Sequence, residues 1–292
     1  MTDAILAASH VSKAFDGKQV LADVSANVEA GSVIGVLGKN GAGKTTFLEI
    51  ALGFSPASGG SVRLWGHESF SLPSPIKGRI GYVPQQDELI PLLTGAQQIA
   101  LTASLHRQWD HELIERLAKE WEVPLDRRIS ALSGGERQKI SILLALGHRP
   151  DLLVLDEPLS SLDPIARRSF LRQLLEITAD QKRGVIFSSH VISDLERVAN
   201  QVWILRDGRM MWSGEMDTLK ESVVRLHLRS QQPLPARIGM AHTIHERVEG
   251  NMATITVSRW NADESASLAT LLHAQIEVEP LDLEDIFVEL HR

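Results

Sequence analysis

Between Ser32 and Gly53 the chain reads SVIGVLGKNGAGKTTFLEIALG, and this stretch limits the possible folds more than any other. SVIGVLG is a continuous apolar run, too short for an ordinary helix, and it reads as a strand buried on both faces. KTTFLEIALG, directly behind it, reads as a helix. A doubly buried strand that enters a helix through a glycine-rich turn begins a parallel sheet covered by helices, so the expected class is α/β. DLLVLDEP and GVIFSSH are apolar runs of the same kind and are read as further buried parallel strands.

Other segments extend this frame. ILAASHVSK and VLADVSANV read as strands of an antiparallel piece, SVRLWG and RIGYVP as short strands, and a polar, helix-rich segment runs from about Leu89 to Leu146. In QVWILRDGRMMWSG, Asp207-Gly208 separates two strand-like pieces, a hairpin signal. The character changes after about Leu219. VVRLHLRS alternates, with Val224, Leu226 and Leu228 on one face and Arg225, His227 and Arg229 on the other. MATITV alternates likewise after Gly250-Asn251, followed by a helix-like SLATLLHA and a strand-like IEVEP. The final helix carries an apolar stripe of Leu283, Ile286, Phe287 and Leu290. The expectation is two domains, residues 1–219 and 220–292, the second a small α+β domain containing QQPLPAR as a loop.

Composition excludes several functions. The net charge of −7 leans away from nucleic acid or an anionic membrane surface as an obligatory partner. Without cysteine there is no disulfide frame, thiolate metal site or thiol chemistry. The start, MTDAILAASH, has no positive region leading into a long apolar core, and no run approaches the roughly 20 apolar residues of a membrane span. A role at a membrane is therefore expected to come through a partner.

GKNGAGKTT, Gly38 to Thr46, satisfies G-x-x-x-x-G-K-[ST] between a buried strand and an apolar helix. In such a P-loop, glycines let successive N–H groups point inward at phosphate oxygens, and the helix N-terminus adds partial positive charge. Gly38, Asn40, Gly41, Ala42, Gly43, Lys44, Thr45 and Thr46 are the expected cradle, against the alternative of a chance glycine turn. Lys44 would reach the β- and γ-phosphates and the Thr45 hydroxyl would coordinate Mg²⁺. LLVLDEP ends a strand in two carboxylates, at the edge of the sheet where α/β proteins bind ligands. Asp156 suits the Mg²⁺ shell and Glu157 a general base toward water, the alternative being two solvated acids.

LSGGERQ places two glycines at the mouth of a helix, where each costs a helix interior about 0.8–1 kcal/mol relative to alanine. Ser133 and Glu136 fit a capping box, and Gly134 and Gly135 could be its flexible entry or could bare N–H groups for an anion. Gln85 and His190 follow other strands: His190 could donate to a γ-phosphate and Gln85 could touch Mg²⁺ or the water, though residues of these types are more often surface or structural. His242 and His245, three apart in a strand-like segment, point to opposite faces and make a weak zinc pair.

Together GKNGAGKTT, Gln85, LSGGERQ, LLVLDEP, LSSLDP and His190 resemble, in order and approximate spacing, the ATP-binding-cassette (ABC) ATPases, over about residues 4–215. The resemblance implies a P-loop NTPase core with an antiparallel β subdomain and a helical subdomain at about 88–146. Gln85 then looks like the Q-loop glutamine, Asp163 like the D-loop aspartate and His190 like the switch histidine. Phe15 stands where the family places an aromatic that stacks on adenine, with a core phenylalanine as its alternative. Ser161 replaces the more common glycine or alanine, which casts no doubt on Asp163.

In this family the LSGGERQ motif faces the γ-phosphate held by a second subunit. One chain then carries two half-sites, and a head-to-tail pair is implied, as a homodimer or with a related ATPase subunit. The resemblance is to bacterial subunits paired with export-type membrane permeases (ABC-2-like), which implies ATP and Mg²⁺ as cofactors and integral membrane permease subunits as partners. The segment after Gln85 would dock the permease, and the protein would lie in the cytoplasm, peripheral at the inner face of the membrane. Soluble ABC ATPases acting on DNA, ribosomes or iron–sulfur assembly are the alternative. A single cassette, the lack of a long heptad run and the acidic balance lean away from it, while Glu157 and His190 speak against a regulator without turnover.

Overall fold

A computed structural model describes residues 4–179 and 181–292; the first three residues of the segment read above as lacking a leader lie outside the described residues. β1 (Leu6–Phe15) and β2 (Lys18–Val28) pair antiparallel. They are joined by Asp16-Gly17, whose φ angles of 48° and 80° give the left-handed two-residue turn that matches strand twist. β3 (Val33–Leu37), buried at every position, runs into α1 (Lys44–Ala51). β4 (Gly59–Leu64) and β5 (His67–Glu68) complete a four-stranded sheet of order β2-β1-β4-β5.

After α2 (Ser74–Lys77) and β6 (Ile80–Val83) come three longer helices: α3 (Gly95–Ser104), α4 (His111–Glu120) and α5 (Gly134–Leu146). β7 (Leu152–Leu155), α6 (Pro164–Thr178), β8 (Gly184–Ser188) and α7 (Ile192–Val198) follow, then the hairpin β9 (Gln201–Arg206) and β10 (Arg209–Glu215) across Asp207-Gly208. The second sheet has the order β10-β9-β3-β8-β7-β6, with β9, β3, β8, β7 and β6 parallel. Its central strands are apolar on both faces, as a parallel sheet covered by helices requires: β3, β7 and β8 are buried throughout. The core joins both sheets and α1, with the fully buried Trp203 meeting Phe47 edge-on at 5.7 Å.

The chain divides into two compact units, 1–213 and 214–292, a few residues ahead of the boundary expected at Leu219. In the second unit, α8 (Met216–Ser222) precedes a sheet of order β12-β13-β11-β14, made of β11 (Val224–Ser230), β12 (Thr243–Glu249), β13 (Met252–Val257) and β14 (Ala274–Pro280). All of its pairings are antiparallel. Val224, Leu226 and Leu228 face a core shared with Ile255, Val257 and Leu268 of α9 (Ala262–Leu272). In α10 (Leu283–Leu290), Leu283 and Ile286 are buried but Phe287 and Leu290 are only half-buried. The apolar stripe misses a buried acid there: Glu289 is 2% exposed because Arg225 Nη2 donates to its Oε1 at 2.9 Å. His242 stands in a left-handed turn ahead of β12, so the two histidines do not share a strand.

Candidate functional site

The phosphate loop is shaped by close backbone approaches. A Cβ on Gly38 would sit 2.7 Å from the carbonyl oxygen of Leu205, and one on Gly43 2.6 Å from Leu21. Gly43 has a φ of 101° and is the N-cap of α1, whose first turn carries no acidic side chain. The bare amides there suit an anion. Lys44 is 9% exposed, with Nζ donating to the Gly38 carbonyl at 2.7 Å. Burial pulls its ammonium pKa down, opposed by the nearby carboxylates of Glu157 and Asp156.

The two acids have different environments. Asp156 is fully buried; its Oδ2 accepts from Thr45 Oγ1 and its Oδ1 from Ser188 Oγ, each at 2.6 Å. Ser188 Oγ in turn accepts the Glu157 amide at 2.7 Å. Glu157 has a φ of 52°, in the left-handed region that an L-residue adopts at a cost of roughly 1–2 kcal/mol. That twist, not strand alternation, separates the two carboxylates, since β7 ends at Leu155. His190 Nδ1 lies 2.7 Å from Glu157 Oε2, with the histidine side chain 60% exposed and that of Glu157 11%.

Val20, Asn40, Gly41, Gly43, Lys44, Thr45, Thr46, Gln85 and Glu157 line one cleft of about 240 Å³. Gln85, just beyond β6, is exposed at its rim. Ala42 is buried beneath the loop. Phe15 is 46% exposed, which excludes a core role, and Lys13 Nζ lies 4.7 Å from its ring centroid.

Ser133, Gly134 and Gly135 are not among the residues lining this cleft. Ser133 caps α5: its Oγ accepts the Glu136 amide at 3.2 Å, and Glu136 Oε2 accepts the Ser133 amide at 2.7 Å. Those bonds hold the Glu136 carboxyl below its ordinary range. A Cβ on Gly134 would meet nothing within 4 Å, whereas one on Gly135 would lie 2.5 Å from the Ser161 carbonyl oxygen. Gly135 is therefore required by packing inside this chain. Asp163 is also engaged internally: Oδ1 caps α6 through the amides of Ile165 and Ala166, and Oδ2 accepts from Lys139 Nζ at 2.8 Å. The Ala166 amide, then Lys139, keeps its carboxyl low. Ser188 and Lys139 are the two residues that sequence reasoning missed.

The donor set suits magnesium-bound ATP. Thr45 hydroxyl, Asp156 carboxylate and the Gln85 amide are hard oxygen donors beside a bare helix N-terminus. Among the described residues no group of three or more His, Cys, Asp or Glu is placed to hold a metal. A divalent ion here would rest on few protein ligands plus phosphates and water, as Mg²⁺ does.

The comparisons agree with that chemistry. The family model described as "ABC transporter" matches residues 21–160. Across 95% of both chains the protein is 27% identical to the ABC transporter ATP-binding protein YtrB of Bacillus subtilis. It is 32% identical to the Nod factor export ATP-binding protein I of Burkholderia pseudomallei, over 96% of this chain and 94% of that one. A solved ATP binding subunit of an ABC transporter superposes with a TM-score of 0.67 at 28% identity, covering 74% of this chain and 92% of its own. With a cleft lined by Lys44, Thr45 and Glu157, and relatives alike over nearly its whole length, the chain belongs to the family of ABC transporter ATP-binding subunits, ATPases that use ATP and Mg²⁺ to drive transport.

Proposed function

We propose that this subunit works as one half of a head-to-tail ATPase pair that drives a separate membrane permease in export. The observation that carries the reading is the separation of two surfaces: the cleft around Lys44 and Glu157 on one hand, and the exposed Ser133 and Gly134 on the other. Gly134 has open space where a side chain would be, so its backbone is free for a phosphate held by another subunit.

In this reading the amides of Gly41 to Thr45 and the Lys44 ammonium hold the phosphates, and Phe15 offers an exposed ring face for the base. Thr45, Asp156 and Gln85 would hold the metal. Magnesium-bound ATP supplies the phosphoanhydride to be cleaved, with the metal offsetting charge on the phosphate oxygens. Glu157 accepts the proton of the attacking water on its carboxylate. His190, whose Nδ1 lies 2.7 Å from Glu157 Oε2, is tied to that carboxylate and is the candidate donor to the γ-phosphate. Asp163 orders the loop between the two motifs. Pairing is the closed state that ATP favours, which makes the cycle a population shift.

Export and the permease partner are supported by the likeness to a protein named for Nod factor export. Ile90, Leu92, Leu101 and Leu105 add exposed apolar surface in the segment after Gln85, the kind of area a partner covers. No helix among the described residues is long and apolar enough to cross a membrane; a place at the cytoplasmic face would come from the permease. The division into a nucleotide-binding domain and a separate C-terminal α+β domain belongs to the same proposal.

The test mixes Lys44→Ala chains with Ser133→Arg chains. Each alone should be inactive, because every paired site lacks either the lysine or the serine. Mixed homodimers should regain one intact site, so ATPase activity should reappear on mixing. Silence after mixing, with both variants folded, excludes pairing between copies of this chain.

A further inference from the structure

Two contacts lock the start of α5 onto the loop that runs from Glu157 to Asp163. At Gly135 the helix backbone meets the Ser161 carbonyl so closely that a Cβ would lie 2.5 Å from its oxygen. One turn further, Lys139 Nζ donates to Asp163 Oδ2 at 2.8 Å and to the Trp121 carbonyl at 3.0 Å, where α4 ends. The Lys139 side chain is 12% exposed, so its ammonium is largely withdrawn from water and depends on these two acceptors. It thus joins the end of α4, the middle of α5 and the cap of α6.

We propose that Lys139 is a positioning residue for ATP hydrolysis. By clamping Asp163 it fixes the loop that begins at Glu157 against the helix that presents Ser133. The inference rests on reading Glu157 as the base and Ser133 as the contact to a neighbouring subunit's phosphate. Glu157 and Asp163 lie at opposite ends of a short irregular segment, which has no ladder of its own to hold its shape. Gly135 against Ser161 sets the distance of approach, and Lys139 sets where the end of the segment lies. The Lys139 ammonium is already engaged by Asp163 and the Trp121 carbonyl and its side chain is 12% exposed, so it acts through Asp163.

Removal of the clamp should leave the fold intact. Asp163 is 49% exposed, so its Oδ2 returns to water when the lysine is removed, while Oδ1 still caps α6. A methionine at 139 fills the same stem volume without the charge. Displacement of a catalytic group by about 1 Å costs up to about 10²-fold. The expected signature is therefore a loss in kcat without a loss in binding.

The experiment compares Lys139→Met, Lys139→Arg, Asp163→Asn and the Lys139→Met/Asp163→Asn pair in the full chain. It reads steady-state turnover, ATP affinity by calorimetry and melting temperature. Lys139→Met should lower kcat about 10–100-fold, keep ATP affinity within about twofold and melt within about 4 °C of the parent. Lys139→Arg should restore most of the rate, and the double variant should be no slower than the slower single, because both remove one interaction. If Lys139→Met does not yield folded protein, Lys139→Gln carries the same expectation. Wild-type kcat in Lys139→Met, or losses that multiply in the double variant, overturn the proposal. So does a rate loss that only follows the folded fraction, which makes Lys139 structural. Lys44→Ala run beside them separates the two readings. If it leaves ATP binding intact, the site itself is misread; if it abolishes binding while Lys139→Met turns over normally, only the clamp is wrong.

Discussion

Adjacent acids in DEP differ in burial and in hydrogen-bond partners. Asp156 has no exposed surface and both its oxygens accept hydrogen bonds, from Thr45 and Ser188, so its carboxyl is held in one orientation. Glu157 keeps a side chain that still reaches water and is oriented by His190. Replacing Glu157 with Gln keeps volume and polarity but removes the site that takes the proton. ATP binding should persist while turnover falls roughly 10²–10⁴-fold. Single-turnover quench measurements on Glu157→Gln check this, and a near-wild-type rate contradicts the base assignment. Lys44, Thr45, Asp156 and Glu157 were legible because their motifs state a chemistry. Ser188 was not: a serine at a strand end carries no signal until β7 and β8 are aligned so that one hydroxyl meets both Asp156 and the Glu157 amide. Asp163 was legible as a position, but its cap and its lysine partner were not.

At the scale of elements, periodicity and turn chemistry foretold nearly every strand, because doubly buried strands and left-handed Asp-Gly turns leave plain marks. Asp16-Gly17 bears the same turn signature as Asp207-Gly208, and only the second was read as a hairpin. α5 shows where such reading stops. Its capping box is local and visible in LSGGERQ, but the need for Gly135 comes from Ser161, a distant residue in sequence. The far end of α5 is likewise fixed from outside. Just past it, a Cβ on Gly147 would lie 2.3 Å from the Trp109 ring, and the next residue, His148, is 8% exposed with Nε2 3.0 Å from the Ile80 carbonyl oxygen. The His106 ring stacks on it at 4.1 Å. Burial foremost, then the neighbouring His106, lowers the His148 pKa to about 4. Because the folded pKa lies below the unfolded value near 6.5, the unfolded chain binds more protons between those values. Stability is then complete above about pH 6.5 and declines as pH falls toward 4. Urea unfolding at pH 8 and pH 5 should differ by on the order of 2 kcal/mol more in the parent than in His148→Gln. Equal slopes in the two proteins would show that His148 is not the group responsible.

At the scale of the whole molecule, every group assigned to nucleotide chemistry, from Phe15 to His190, falls in the unit of residues 1–213. The unit of residues 214–292 has its own apolar cluster, around Leu226, Leu228, Ile255 and Val257, and a complete antiparallel sheet. A chain cut after Glu215 keeps β10 whole, and with it the order β10-β9-β3-β8-β7-β6 that carries the phosphate loop and both acids. No strand of the first two sheets is lost by that cut, since the third sheet draws only on β11 to β14. The 1–215 fragment should therefore fold and bind ATP with an affinity within about threefold of the full chain, a difference below 1 kcal/mol. Circular dichroism establishes that the fragment is folded, and calorimetry with ATP and Mg²⁺ gives the affinity. A fragment that folds yet loses ATP would assign part of the site to the C-terminal unit. Retained binding with lost turnover would instead place that unit's contribution in the pairing of subunits, because the proposed head-to-tail arrangement completes the site for hydrolysis and not for binding at the P-loop.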